Sequence, residues 1–269
     1  MVDLDRYKTQ IKFLGIGQSG QERLAQSKVV IVGLGGLGSF FLQYLVRAGI
    51  GKITIIDFDT VELSNLQRQI LYDEWDVEGG RLKVEVALEK MSRVNREVEL
   101  SGFTTYFSPQ NAEKLLLNHD LILDATDNYE TRYLINDVAI KHSIPWIFSA
   151  VAGAFGMASV IIPGKTPCLR EIVLEEVSSE ALSCSTVGVI SPIIAAVTAF
   201  STTQALKYLA LGEECIDKGL ALIDLWHPAL EITDIKQDRT NPCPTCSLGK
   251  YEYLEGNKFP VFKTPGSTC

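Results

Sequence analysis

A glycine-rich turn between an apolar segment and an amphipathic segment constrains the fold of this chain more than any other feature. The turn has the pattern G-x-G-x-x-G and contains Gly33, Gly35, Gly36 and Gly38. It follows the apolar run 29–32 and precedes residues 36–48, whose apolar positions have helical spacing. A second apolar run, 53–56, ends at Asp57, nineteen residues after Gly38. This order predicts a βαβ unit whose turn binds phosphate at a helix N-terminus and whose Asp57 meets a ribose hydroxyl.

The remainder of the chain continues the alternation of strands and helices. Short apolar or β-branched runs predict strands at 97–103, 121–124, 144–150, 157–162, 220–224 and 230–233. Helices are predicted at 81–95, 112–117, 129–141 and 192–211, the last with Ser191 as N-cap and Pro192 as its first residue. Residues 1–27 are helix-prone, with Gly15, Gly17 and Gly20 as breaks, and 61–80 and 164–186 are predicted as connecting loops.

These elements predict an α/β fold of Rossmann-like, doubly wound type. We expect a mainly parallel sheet with helices on both faces and an antiparallel extension at its C-terminal end. The sequence shows neither an internal repeat nor a linker-like tract, which favours one domain over residues 1–269. Within it we expect a nucleotide-binding half at 27–150 and a second half at 151–250.

Composition limits the classes of function. The chain carries 25 Lys and Arg against 33 Asp and Glu, a formal charge of −8, which disfavours non-specific nucleic-acid binding. Three histidines argue against chemistry that depends on imidazole. The N-terminus is charged and has no apolar core, which disfavours a signal peptide. The uncharged stretches 146–162 and 181–206 contain Pro, Gly, Ser and Thr, which disfavours membrane spans. We therefore expect a cytoplasmic protein whose cysteines are metal ligands or reactive thiols rather than disulfides.

The segments after the glycine turn carry further motifs. DFDTVELSNLQRQ begins at Asp57, Lys83 follows a Gly-Gly turn, and LDATDN ends the strand at 121–124. Together with GLGGLG, these motifs resemble the ubiquitin-activating-enzyme-like adenylyltransferases, the HesA/MoeB/ThiF family. The resemblance extends from about Arg6 to Cys246, almost the whole chain. The combination is far more specific than the glycine turn, which does not distinguish NAD from ATP.

The resemblance implies adenylation of the C-terminal carboxylate of a small ubiquitin-like sulfur carrier that ends in Gly-Gly. Such a carboxyl has a pKa of about 3.3–3.7, so it is ionised at pH 7 and needs no general base. Sulfur transfer in molybdopterin, thiamine or related cofactor synthesis would follow. The resemblance also implies ATP and Mg²⁺ as cofactors, a homodimer, and no nucleic acid or membrane as partner.

The resemblance assigns roles to individual residues. It places Asp57 on the ribose, Asn65, Arg68 and Lys83 on the phosphates, and Asp127 on Mg²⁺. The wider set of nucleotide-contacting residues is Gly33, Gly35, Gly36, Gly38, Asp57, Asp59, Asn65, Arg68, Lys83, Asp127 and Asn128. Each residue also has a simpler interpretation: Arg68 as a loop salt bridge, Lys83 as a solvated charge, and Asp127 as a helix cap.

One position departs from the family pattern. Relatives often carry an N-terminal arginine that reaches the ATP of the partner subunit, and the matching residue here is Thr9. Two alternatives stay open: the neighbouring cations Arg6 or Lys8 substitute for it, or the trans arginine is absent.

The cysteines suggest a zinc site. Cys243 and Cys246 have the C-x₂-C spacing that supplies two ligands of a tetrahedral site. By resemblance, Cys168 and the residue three positions later supply the other two, and that residue is Glu171 here. A degenerate site without metal is the alternative; a redox C-x-x-C is disfavoured because the motif lies in a proline-rich stretch.

A further cysteine has a possible role in catalysis. Cys184 matches the position where some relatives carry a thiol that bonds the activated carrier. An inert, buried cysteine is the alternative.

Three other functions stay open at the level of sequence. An NAD-dependent oxidoreductase would explain the glycine turn and Asp57 but would leave Arg68, Lys83 and Asp127 without a role. A non-catalytic relative that binds the carrier is suggested by Thr9 and Glu171. A relative that acts on tRNA is disfavoured by the SNLQRQ segment and the acidic charge.

Overall fold

The computed structural model describes residues 4–173, 187–235 and 242–259. The strands are β1 (Lys28–Val32), β2 (Lys52–Asp57), β3 (Glu99–Thr104), β4 (Leu121–Asp124), β5 (Trp146–Ala152), β6 (Phe155–Ile161), β7 (Leu220–Asp224) and β8 (Ala229–Thr233). The α-helices are α1 (Lys8–Lys12), α2 (Gly17–Leu24), α3 (Gly36–Ala48), α4 (Glu74–Glu78), α5 (Lys83–Val94), α6 (Ala112–Leu116), α7 (Tyr129–Lys141), α8 (Leu169–Ile172) and α9 (Ser191–Leu211). Short 3₁₀ turns lie at Leu63–Asn65 and Glu213–Cys215.

All eight strands belong to one sheet, in the order β3-β2-β1-β4-β5-β6-β7-β8. Strands β1 to β5 pair in parallel, and β6, β7 and β8 add antiparallel strands beside β5. The prediction of a mainly parallel sheet with an antiparallel C-terminal extension is confirmed. The strand order reverses between β1 and β4, which opens a crevice at their carboxyl ends, the usual ligand position in such sheets.

Helices cover both faces of the sheet, as predicted. One core packs α3, α5 and α9 against it around residues such as Phe41 and Ile194. The opposite core packs α6, α7 and α8 around residues such as Leu134 and Trp146. Because β1 and β4 are buried on both faces, they appear in the sequence as unbroken apolar runs rather than as alternating ones.

Helical turns interrupt both segments that were predicted as loops, so those predictions were wrong in part. The region 61–80 contains the 3₁₀ turn and α4, whose N-cap Asp73 accepts a hydrogen bond from Asp76 N at 3.2 Å. The region 164–186 contains α8, and its residues 174–186 lie outside the described part. These helices have four or five residues, too few to show a hydrophobic period, and depend on local capping.

Other boundaries also differ from the predictions. Ser191 is the first residue of α9 rather than its N-cap, which is Ile190. Gly17 begins α2, and Gly20 lies within that helix instead of breaking it. A Cβ atom on Gly20 would lie 3.2 Å from Ala210 Cβ, so glycine here permits close packing of α2 against α9. Among the described residues, no helix combines the length and hydrophobicity needed to cross a bilayer.

Candidate functional site

A cavity of about 680 Å³ opens where the carboxyl ends of β1, β2, β4 and β5 meet. Its lining includes ten of the eleven residues predicted to contact nucleotide: Gly33, Gly35, Gly36, Asp57, Asp59, Asn65, Arg68, Lys83, Asp127 and Asn128. The fold therefore brings together residues that are up to 95 positions apart in the chain. The cavity continues past Ala150 and Val151 of β5 toward Val187 and Val189.

The glycine turn forms the wall of the cavity at the start of α3. Gly33 has a φ of +95°, and a Cβ atom there would lie 2.6 Å from Ala125 O, so only glycine fits this approach of β1 to the loop after β4. Gly35 is the N-cap of α3 and exposes the helix N-terminus to the cavity. Gly38 does not line the cavity. A Cβ atom on it would lie 2.1 Å from Gly33 O, so its structural role is close helix–turn packing.

Two carboxylates follow β2, and hydrogen bonds fix one of them. Asp57 accepts from Leu34 N at 2.6 Å and from Asp59 N at 2.8 Å, which ties β2 to the glycine turn. Burial raises the pKa of Asp57, while Lys83 and the two backbone donors oppose that rise. Lys83 Nζ contacts Asp59 Oδ2 at 2.8 Å, and Lys83 N donates to Asp59 O at 2.9 Å.

The side chain of Lys83 is only 6% exposed, whereas that of Asp59 is 47% exposed. The interpretation of Lys83 as a solvated surface charge was therefore wrong. A buried cation at the first residue of α5 is held beside Asp57 and faces the cavity.

The SNLQRQ segment supplies polar groups to a second wall. Asn65 is buried at the end of the 3₁₀ turn, and its Oδ1 accepts from Glu62 N at 3.3 Å. Arg68 Nη1 donates to Ser64 O at 2.8 Å, so this guanidinium contacts a backbone carbonyl; among the described residues it forms no salt bridge. Gln69 is buried, and its Oε1 has no hydrogen-bond partner among the described residues. An unpaired acceptor in this wall is a polar group that a ligand can satisfy.

The loop after β4 carries Asp127 to the opposite side of the cavity. Asn128, rather than Asp127, caps α7, because Asn128 Oδ1 accepts from Thr131 N at 2.8 Å. The interpretation of Asp127 as a helix cap was wrong, and its exposed side chain is available to a ligand. Asn128 Nδ2 donates to Asp127 Oδ1 at 3.4 Å.

A buried ion pair lies beneath this loop. Arg132 Nε contacts Asp124 Oδ2 at 3.2 Å, with side-chain exposures of 7% and 0%. Burial raises the pKa of Asp124, and the adjacent Arg132 and two hydrogen bonds from Thr126 oppose that rise.

Sequence reasoning assigned no role to several residues that the structure places at the site. Gln69 and Asp124 lie within the motifs that were singled out, so their position was a signal that was not used. Arg132 gave no signal beyond its place on a helix. Phe58 and Tyr106 line the cavity as an edge-to-face aromatic pair with ring centroids 5.2 Å apart, and their contact joins the segments that follow β2 and β3.

The N-terminal cations lie elsewhere. Thr9 is in α1, Arg6 Nη1 donates to Val94 O at 3.2 Å, and Lys8 pairs with Asp5 at 2.9 Å. None of the three lines the cavity of this chain within the described residues. The three histidines, all in the described part of the chain, are also outside its lining.

Three cysteines form a separate cluster next to α7 and α8. The sulfur atoms of Cys168, Cys243 and Cys246 all lie within 4.8 Å of one another, and those of Cys168 and Cys243 are 3.5 Å apart. Hydrogen bonding among the three thiols raises the pKa of Cys168 and lowers that of Cys243, so one thiol of the cluster ionises before the others. Such a set is chemically suited to hold a thiophilic cation through its thiolates, and zinc is the usual one in proteins.

Glu171 takes a different position from the three sulfurs. Its Oε2 accepts from Cys168 N at 3.0 Å and from Cys246 Sγ at 3.3 Å, which completes the capping of α8. The carboxylate thus contacts one sulfur of the cluster and orients the helix that carries Cys168. Cys215 is exposed and belongs to no cluster, whereas Cys184 and Cys269 lie outside the described residues.

Comparison with known proteins identifies relatives over nearly the whole chain. The sequence profile of the ThiF family matches residues 7–246. The chain is 38% identical to the sulfur carrier protein ThiS adenylyltransferase of Bacillus subtilis, over 93% of this chain and 73% of that protein. It is 39% identical to the sulfur carrier protein adenylyltransferase of Thermus thermophilus, over 91% of each.

A solved structure shares the fold. The E. coli MccB complex with MccA-N7isoASN superposes with a TM-score of 0.76 at 22% identity, over 90% of this chain and 74% of that one. At that identity, the similarity establishes the architecture.

Proposed function

This chain belongs to the ThiF family, and we propose that it catalyses the ATP-dependent adenylation of a sulfur-carrier protein. The substrate is the C-terminal glycine carboxylate of a small ubiquitin-like protein that ends in Gly-Gly. The products are the acyl-adenylate and pyrophosphate, and the activated carrier then enters sulfur transfer in molybdopterin, thiamine or related cofactor synthesis. The observation that carries the proposal is one cavity in which the glycine turn, Asp57, Lys83 and Asp127 converge.

The reaction requires charge compensation and alignment rather than proton transfer. A carboxylate oxygen of the carrier forms a bond to the α-phosphorus of ATP while the bond from that phosphorus to the bridging oxygen breaks, and pyrophosphate leaves. Because the attacking carboxylate is already ionised, no base is needed, in agreement with the absence of histidine from the cavity lining in the described residues. Holding two anions in contact is the main task of such a site.

Different residues of the cavity are proposed to bind different groups of ATP. We propose that Asp57 accepts from the ribose, since its carboxylate is fixed at the end of β2 by two backbone donors. The N-terminus of α3 offers unpaired N–H groups to phosphate oxygens. Lys83, Arg68 and Asn65 contact the phosphates, and the contact with Asp59 holds Lys83 in position before nucleotide arrives.

Mg²⁺ is the second proposed participant. It would neutralise part of the triphosphate charge, and hard cations of this kind take oxygen ligands. Asp127 fits this role, because its carboxylate is exposed at the cavity and is not used for helix capping. Asn128 adds a neighbouring amide at the same edge.

The cysteine cluster is proposed as a structural zinc site. Thiolates of Cys168, Cys243 and Cys246 would provide three ligands at a spacing compatible with one tetrahedral ion. Glu171 is the proposed fourth ligand, since its carboxylate already contacts Cys246. Bound zinc would join α8 to the C-terminal segment and stabilise the half of the domain at 151–250.

Three further features complete the proposal. The carrier's tail enters along β5, where the cavity extends past Ala150 and Val151, and Cys184 is the proposed thiol for a later bond to the carrier.

The enzyme acts as a homodimer in the cytoplasm. Exposed Phe13 and Leu14 beside α1 provide an apolar surface near the N-terminus that supports self-association.

Pyrophosphate exchange tests this function directly. Purified protein with ATP, Mg²⁺ and labelled pyrophosphate is expected to form labelled ATP only when a Gly-Gly-ending carrier is present. A carrier lacking the final glycine is the matched control and should give background exchange. Failure of exchange with every Gly-Gly-ending carrier, or exchange that does not need a carrier, contradicts the proposal.

A further inference from the structure

Arg132 lies beneath the loop that carries Asp127 and joins three parts of the cavity wall. Its Nε contacts Asp124 Oδ2 at 3.2 Å at the end of β4. Its Nη2 donates to Thr126 O at 2.8 Å and to Ser149 O in β5 at 3.3 Å. One guanidinium therefore connects β4, the loop after it, and β5 just before the stretch that borders the cavity.

The same loop is fixed from its other side by Asp124. Asp124 Oδ1 accepts from Thr126 N at 2.9 Å and from Thr126 Oγ1 at 2.6 Å. The backbone of Thr126 is thus held at its N–H by Asp124 and at its carbonyl by Arg132. Asn128 is held by capping α7, so Asp127 lies between two fixed neighbours and its own carboxylate faces the cavity.

Stability alone does not account for this arrangement. A fully buried ion pair gains little over well-packed apolar residues, because removing both charges from water has a large cost. The guanidinium here is also placed over the rings of Tyr129 and Phe148, with Arg132 Cζ 5.0 and 5.5 Å from their centroids. A planar cation that stacks and donates in two directions holds its orientation more rigidly than lysine.

We propose that Arg132 is a positioning residue for adenylation, which sets the position of the Asp127 carboxylate relative to the glycine turn. The inference rests on the proposed function, because Asp127 is taken as the Mg²⁺ ligand. Arg132 acts through Thr126 and Asp124, and it orients a ligand rather than reacting. Loss of such indirect support for a metal ligand typically costs about 10–100-fold in metal affinity or activity.

Arg132→Lys is the informative substitution. Lysine keeps a positive charge for Asp124 but does not provide the planar fork that reaches both Thr126 O and Ser149 O. We expect the Mg²⁺ concentration for half-maximal pyrophosphate exchange to rise about 10-fold or more, with partial recovery of the rate at saturating Mg²⁺. Arg81→Lys is the matched control, because Arg81 also pairs with a buried carboxylate, that of Asp76, but does not line the cavity. Its Mg²⁺ dependence should equal that of the wild type.

A second measurement does not depend on the carrier. Amide hydrogen exchange should show faster exchange at residues 125–128 in Arg132→Lys than in the wild type or Arg81→Lys. If Arg132→Lys fails to fold, the double variant Asp124→Asn with Arg132→Gln removes both buried charges and takes its place. Unchanged Mg²⁺ dependence with unchanged loop protection overturns the proposal. Absence of pyrophosphate exchange in the wild type would instead contradict the proposed function, and the amide measurement would still test the positioning of the loop.

Discussion

The cavity and the cysteine cluster bring ionisable groups together in opposite ways. At the cavity, each buried cation is paired with a carboxylate: Lys83 with the half-exposed Asp59, and Arg132 with the buried Asp124. In the cluster, three thiols of one kind lie within 4.8 Å of one another, and among the described residues no cation contacts their sulfurs. The first region holds its geometry through internal charge balance. The second requires an added cation before its thiols can all ionise.

The cavity and the cluster therefore differ in how their geometry is held before a ligand binds. Fixed charges at the cavity are in place before any ligand arrives, which would avoid reorganisation during the proposed reaction. Under the proposed zinc binding, the geometry of the cluster would depend on metal, whereas hydrogen bonds to Asp137 also attach residues 242–259 to α7. Substitutions in the two regions should therefore change different observables.

The largest expected effect is the loss of metal from the cluster. Cys243→Ser removes a buried ligand, and we expect zinc content to fall from about one ion per chain to background, because a site of two cysteines holds zinc weakly. Metal analysis after gel filtration measures this result. Cys215→Ser, which changes an exposed cysteine outside the cluster, should retain the wild-type metal content. Equal zinc in wild type and Cys243→Ser would show that the cluster is not the zinc site.

Loss of the buried cation in the cavity should have the next largest effect. Lys83→Ala is expected to lower the rate of pyrophosphate exchange by about 100-fold or more, since it deletes a preorganised charge at the cavity that is proposed to contact the phosphates. Asp59 is half exposed and stays solvated, so the fold should persist. Lys52→Ala is the control, because Lys52 also pairs with a carboxylate, Glu99 at 2.6 Å, but on the exposed edge of the sheet. Similar rates for the two variants would contradict the assigned role of Lys83.

An intermediate effect is expected at Asp137, a buried carboxylate next to the cluster that forms no salt bridge with any of the described residues. It accepts from Tyr253 N, Leu254 N and Thr245 Oγ1, yet burial raises its pKa to about 6. A raised carboxyl pKa means that the folded state binds the proton more tightly than the unfolded state. Its stabilising contribution is therefore present below about pH 4 and is lost as pH rises through 6, by about 3 kcal/mol.

A carbon NMR titration of the Asp137 carboxyl measures the pKa itself, with a midpoint near 6 expected. Urea unfolding of wild type and Asp137→Asn at pH 5 and pH 7 measures the linkage. The free energy of unfolding of the wild type should fall, relative to that of the variant, across this interval. A midpoint near 4 in the titration would show that the carboxylate is not penalised by its burial.

The smallest effect is expected where charges are paired in water. Glu99→Gln breaks the exposed contact with Lys52, and we expect the free energy of unfolding to change by less than about 1 kcal/mol, further reduced by added salt. Urea unfolding at low and high ionic strength provides the comparison. A change in the free energy of unfolding as large as that expected for Asp137 would show that burial does not determine how strongly a charged group affects stability.

Features that depend on residues close together in the sequence were predicted correctly. The glycine turn, Asp57 and the strands β1, β2 and β4 follow from apolar runs and spacing, because each depends on a few neighbouring residues. Short helices such as α4 and α8 were missed because capping, rather than a hydrophobic period, stabilises them. Arg132 was missed for a related reason. Its proposed role depends on contacts with two carbonyls and a carboxylate outside α7, and the sequence pattern of that helix does not predict them.

By itself, the sequence determined the class of fold, the order of its strands and main helices, the position of the glycine turn and the family of the chain. These follow from backbone stereochemistry and apolar periodicity, which act over short distances along the chain. Only the tertiary structure decided which charged groups meet. Lys83 reaches Asp59 across 24 residues and Cys168 reaches Cys243 across 75, because strand order and helix packing set those distances. Burial then determines how strongly each pair interacts, and burial is a property of the folded molecule.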